Sequence, residues 1–166
     1  MHAVRTYLEM STPENLRPAR CGDGDVSAER IEECPPAFWR FLYTEVGRQY
    51  HWVDRLCWTD EDIAAYLSSP AIQFWVLKVQ GSVAGYFELR REDDDSIEIA
   101  YIGLLAAFVG RGLGKHLLTV AVERAWAVGA GRVWLHTCSL DHPAALPNYL
   151  ARGFSIFKTE PFVIPA

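Results

Sequence analysis

Three glycines at alternate positions, Gly110, Gly112 and Gly114, stand between a β-branched run and a helical pattern. No other stretch restricts the fold as much. Glycine adopts backbone angles that side chains forbid, and it lets a ligand approach the main chain. The start of a helix adds free amides and partial positive charge. The loop therefore predicts an anion site suited to phosphate or pyrophosphate, with a turn kept only for packing as the alternative. A Walker A loop would need glycine at Val109 and Ser or Thr at His116. A dinucleotide fingerprint would need glycine at Lys115 and a parallel βαβ unit around it. Neither pattern fits.

Ahead of the loop, residues 72–79, 83–91 and 96–104 are rich in β-branched and aromatic side chains. Gln80-Gly81-Ser82 and residues 92–95 separate them at hairpin distances, which predicts an antiparallel meander. The mixed-sign run 90–95 reads as a solvated turn. Behind the loop, Leu113, Leu117, Val120, Ala121, Ala125 and Val128 mark a long amphipathic helix, closed at residues 129–131. A buried strand over 132–137, a short helix over 143–152 and one or two strands over 154–163 follow.

Upstream, residues 4–10 and 26–32 predict short strands joined by a loop over 11–25. Phe38, Phe41, Leu42 and Val46 share a helical face after Pro35-Pro36. Thr59 caps a second helix with Asp62 three residues on, and Ile63, Tyr66 and Leu67 form its stripe. The class is α+β, a mixed, largely antiparallel central sheet flanked by helices. Residues 1–24 read as an N-terminal extension of strand and loop, and residues 25–166 as one domain.

A net charge of −5 with no Lys/Arg cluster argues against nucleic acid as a partner. No apolar stretch nears the ~20 residues that span a bilayer, and no secretory pattern opens the chain. Cys21, Cys34, Cys57 and Cys138 are widely spaced without a CxxC pair, which suggests reduced thiols and a cytoplasmic protein. His136, Cys138, Asp141 and His142 fit no zinc pattern, so no metal is expected. Cys138 as a covalent acyl carrier lacks a base fixed beside it. Six Trp, seven Tyr and eight Phe exceed the needs of one core, so some line a pocket or interface.

The loop resembles the signature of the GCN5-related N-acetyltransferase (GNAT) superfamily, [Q/R]-x-x-G-x-[G/A]. Gly112-Leu113-Gly114 match its end, and Val109 stands where Gln or Arg is usual. A second family pattern, N-x-x-A-x-x-x-Y-x-x-x-G-F, lines up on His142, Ala145, Tyr149, Gly153 and Phe154, with His142 replacing Asn. The resemblance covers roughly residues 25–160. It implies acetyl-coenzyme A as co-substrate, with its pyrophosphate on the loop Val109, Gly110, Arg111, Gly112, Leu113, Gly114 and Lys115. The pantetheine arm would run beside Leu104 and Leu105 as an added strand, with His142 near it. Tyr149 would act as general acid at the sulfur, and amides near Leu104 would bind the carbonyl oxygen. The acceptor would be a small-molecule or peptide amine, and homodimers occur in the family.

Glu98 is the candidate base. Strict alternation puts Ile97, Ile99 and Tyr101 on one face and Glu98 with Ala100 and Ile102 on the other. An acid among such neighbours has a raised pKa suited to accepting a proton; the alternative is a surface acid on a half-exposed sheet. Residues 50–55 with Trp58 read either as the acceptor region or as helix–loop packing with an Asp54–Arg55 surface pair. The resemblance implies direct acetyl transfer to an amine in a ternary complex. The alternatives are a non-catalytic acyl-CoA-binding module and an acyltransferase using another chain or acceptor.

Overall fold

The computed structural model describes residues 1–22 and 24–164; Asp23, Pro165 and Ala166 lie outside them. Alternating apolar residues build the expected meander of Ile72–Val79 (β3), Ser82–Arg91 (β4) and Ser96–Leu104 (β5). His2–Met10 (β1), Val26–Arg30 (β2), Arg132–Cys138 (β6) and Ser155–Val163 (β7) complete a seven-stranded sheet ordered β2-β3-β4-β5-β6-β1-β7. Among the described residues only β5 and β6 pair in parallel.

Within the stretch read as an N-terminal extension, the expected strand is part of this sheet. Strand β1 lies between β6 and β7 and is antiparallel to both. Beyond it, the Arg17 amide donates to Arg152 O at 2.8 Å and the Ala19 amide to Thr119 Oγ1 at 3.0 Å. Local pattern predicts the strand, but its partners come from the other end of the chain.

Pro36–Gly47 (α1) and Asp60–Ser68 (α2) cover one face of the sheet through Trp39, Leu42, Tyr43 and Ile63. The second helix starts as expected: the Asp62 amide donates to Thr59 Oγ1 at 3.1 Å, and the Thr59 amide to Asp62 Oδ2 at 2.9 Å. Leu113–Ala127 (α3) covers the other face with Leu117, Leu118, Ala121 and Ala125. Ala145–Ala151 (α4) packs beside it. No helix among the described residues is long and apolar enough to cross a membrane.

Strand β5 breaks the strict alternation. Leu89 faces Ile99 but Glu88 faces Tyr101, so Ala100 is an extra residue in the ladder. A bulge of this kind reverses which face later side chains take. Tyr101 thus joins the α1 side, the side of Glu98, while Ile102 packs with Ile97 and Ile99 under α3.

Gly153, the glycine of the second family pattern, has φ +109, and a Cβ built there would lie 2.0 Å from Asn15 O. Gly153→Ala is expected to cost at least roughly 1–3 kcal/mol for the backbone strain alone. The check is a lower urea midpoint at unchanged m; an unmoved midpoint would refute this packing argument.

Candidate active site

Strands β5 and β6 pair only from Ser96↔Arg132 to Glu98↔Trp134. Past that point β5 stays with β4 and β6 stays with β1, so the two diverge. Each is held by its outer neighbour, and their facing edges are left without a ladder. The gap opens into a cavity of about 1140 Å³, ample for an extended ligand added as a strand.

The glycine loop forms one end. Gly112, at φ +76, caps α3 in the left-handed conformation, and Gly110 has φ +83. Val109, Gly110, Gly112, Gly114 and Lys115 line the cavity, as does Leu104. The amides of Gly110, Arg111 and Gly112 have no intramolecular partner among the described residues. Val109 is less available, because its amide donates to Ala106 O at 3.3 Å. The side chains of three residues grouped with this site stand off the cavity. Leu105 donates its amide to Ala84 O at 2.8 Å, Arg111 lies 5.2 Å over the Phe108 ring, and Leu113 is buried in the core.

Helix α4 closes this end. Asn148 Nδ2 donates to Gly114 O at 3.2 Å, and Arg152 Nη1 donates to Asn148 Oδ1 at 3.3 Å. Arg152 Nε is buried without a partner. This helix carries Tyr149, which lines the cavity and meets Phe154 edge-on at 6.3 Å. Burial, with Asp141 second, raises the Tyr149 pKa and keeps the phenol protonated. Asp141 itself accepts from Thr137 Oγ1 at 2.6 Å and from the Cys138 amide at 2.9 Å. His142 lines the cavity, and its Nδ1 accepts from the Ala144 amide at 3.0 Å. Among the described residues no group of His, Cys, Asp and Glu is arranged to hold a metal, and His136, Cys138, Asp141 and His142 form none.

Glu98 occupies the apex of the gap, nearly buried. Burial raises its pKa, opposed by the ion pair with Arg90. Arg90 is thus no part of a solvated turn; it stands opposite Glu98 in the β4–β5 register. His136 Nε2 lies 3.8 Å from Glu98 Oε1. Burial first, and Arg5 second, lower the His136 pKa, which favours the neutral imidazole.

The far wall corrects the expected Asp54–Arg55 surface pair. Arg55 is buried, with Nη1 donating to Glu88 Oε1 at 2.8 Å and Nη2 to Tyr66 OH at 3.0 Å. Its guanidinium lies 4.7, 4.5 and 4.4 Å from the rings of Trp58, Tyr66 and Tyr101. Glu88 also accepts from Trp39 Nε1 at 2.8 Å and Tyr66 OH at 2.9 Å. Asp54 instead meets the Tyr101 hydroxyl at 3.5 Å. The aromatic residues of 50–58 therefore do both jobs weighed for them, packing the helix–loop wall and lining the cavity. Arg5 and Asn148 carry no local sequence signal, and Arg90 and His136 carry none for this place; register and helix docking bring them in.

The pattern of the acetyltransferase (GNAT) family matches residues 38–154. An "Uncharacterized N-acetyltransferase in pepI 3' region" of Lactobacillus delbrueckii subsp. lactis is 31% identical over 113 residues, 63% of this chain and 64% of that protein. The chain spans less than two thirds of the length of the curated relatives it matches. Among solved structures, an IAA acetyltransferase from Bacillus cereus ATCC 14579 superposes with TM-score 0.61 at 28% identity, over 80% of this chain and 79% of that one. A GCN5-related N-acetyltransferase from Sphaerobacter thermophilus shares the fold, with TM-score 0.71 at 15% identity over 95% of this chain and 49% of that one. The family pattern runs from α1 through the Gly153-Phe154 turn and takes in the diverging strands and the glycine loop, so the chain belongs to the acetyltransferase (GNAT) family.

Proposed function

We propose that this chain transfers an acetyl group from acetyl-coenzyme A directly to an amine held in the same complex. One observation carries the reading: a single cavity joins the glycine loop, the open edge of β5, Glu98 and Tyr149. The donor set suits an anionic, extended co-substrate. The unpartnered amides of Gly110 to Gly112, the start of α3, Lys115 and the orphaned Arg152 Nε would hold its phosphates. The β5 edge at Leu104 would take the pantetheine arm.

Acetyl-coenzyme A supplies an activated thioester. Glu98 accepts a proton from the ammonium, directly or through water, and frees the nitrogen lone pair. The C–N bond then forms as the C–S bond breaks, with an amide near Leu104 hydrogen-bonding the carbonyl oxygen. Tyr149 gives its proton to the departing sulfur and regains one through solvent from the acylated nitrogen. The proton on Glu98 leaves to water. A phenol kept neutral by burial suits that donor role.

The test is release of free thiol from acetyl-coenzyme A with a panel of amines, after a thermal shift has established binding. Tyr149→Phe is expected to lower kcat roughly a hundredfold or more while keeping the shift with acetyl-coenzyme A. Unchanged turnover with every amine would overturn the role of Tyr149. Binding without thiol release from any amine would favour a non-catalytic module. Faster release from longer acyl thioesters would favour another acyl chain.

A further inference from the structure

Four arginines line the cavity; two are held by carboxylates, and Arg152 belongs to the phosphate end. Arg55 pairs with Glu88, Arg90 pairs with Glu98 and Glu92, and Arg152 bonds Asn148 beside the glycine loop. Arg5 has no carboxylate within ion-pair distance among the described residues. Its cross-strand neighbour Glu160 makes its contacts elsewhere, accepting from Tyr7 OH at 2.6 Å and pairing with Lys158 at 3.3 Å, and acts on Arg5 only through space.

Arg5 is nonetheless held in place. Its guanidinium lies 4.0 Å over the Phe162 ring, and its Nε is buried without a partner. A guanidinium stacked on an aromatic face presents its edge as a rigid fork of donors matched to a carboxylate. The pairs Tyr7↔His136 and Arg5↔Cys138 make Arg5 a diagonal neighbour of His136. His136 in turn lies beside Glu98. The uncommitted cation is therefore on the acceptor side, near the acid that takes the amine proton.

We propose that Arg5 binds a carboxylate of the acceptor, so that the substrate class is an amine carrying a carboxylate, of the amino-acid type. This rests on the acetyl-transfer reading above and narrows it. An uncharged acceptor would leave the Arg5 donors unmatched beside a partly desolvated cation.

The experiment compares α-amino acids with their carboxamides, and with an aminoalkyl phosphate as a third arm. Each is assayed for thiol release and titrated calorimetrically against the chain loaded with coenzyme A. The free acids are expected to exceed their amides roughly tenfold or more in kcat/KM, mainly through KM, the size of a charge-assisted contact. Arg5→Gln is expected to bring acid and amide within about twofold, and Arg5→Lys to restore part of the preference. A retained thermal shift with acetyl-coenzyme A shows that the variants are folded. Amides used as well as acids, a ratio unmoved by Arg5→Gln, preference for the phosphate, or no binding of any acid overturns the proposal. Acids that bind through Arg5 without thiol release uphold it and sink the transfer reading instead.

Discussion

Replacing Arg55 with alanine is expected to destabilise the chain by about 3–5 kcal/mol, because it strands a buried charge. Glu88 is fully buried, and after the substitution only the neutral donors Trp39 Nε1 and Tyr66 OH would remain to it. The loss is far above the ~0–1 kcal/mol of an exposed ion pair, since Glu88 is fully buried and Arg55 nearly so. At about 2–4 °C per kcal/mol for a chain of this size, Tm should fall by roughly 6–20 °C. Urea unfolding and calorimetry measure it. The double variant Arg55→Met/Glu88→Leu is expected to recover most of the loss, because it removes both charges together. A single-variant loss below about 1 kcal/mol would mean that water reaches Glu88 after all. Arg55 also orders Trp58, Tyr66 and Tyr101, so variants that still fold should bind acceptor more weakly.

Glu98→Gln is expected to lower kcat by about 10²–10⁴-fold, the usual contribution of general base catalysis. The pH profile gives the sharper test. Burial holds the Glu98 pKa above the ordinary carboxylate range. Activity should therefore fall as pH drops through that raised value, and Glu98→Gln should abolish this limb. Stability moves the opposite way. The folded state binds the proton more tightly than the unfolded chain, so the group's contribution is fully present below the unfolded pKa. It is lost as pH rises through the folded pKa. Glu98→Gln should accordingly hold or raise Tm at neutral pH while it removes activity. An acid limb that survives the substitution would assign the base elsewhere, with His136 the nearest alternative at 3.8 Å.

Much of the fold was legible where the chemistry is local. The Thr59–Asp62 cap, the meander and the long helix after Gly112 follow from side-chain preference and period, and they stand where the pattern puts them. Tyr149 and Glu98 could be singled out for the same reason, one from a spaced motif and the other as an acid amid apolar neighbours. Less is legible where distant pairing decides. Strand β1 can be read locally, but its place between two strands from the far end of the chain cannot. Tyr101 takes the face opposite to the one strict alternation gives, because one bulged residue at Ala100 inverts the later side chains. Asp54 and Arg55 look like a surface pair because they are adjacent, but a cage of aromatic rings and Glu88 desolvates Arg55.

The amino-acid sequence by itself determined the glycine loop, the helix it opens and the cap of α2, since backbone freedom and periodicity act over a few residues. Only the tertiary structure decided where β5 and β6 part and which charges share the gap. It brought Arg5 into the cavity near His136, turned Arg90 from a loop residue into the partner of Glu98, and buried Arg55 against Glu88. A strand residue's direction depends on register, and a charge's state depends on who else is buried beside it. Neither is written in the residues next to it.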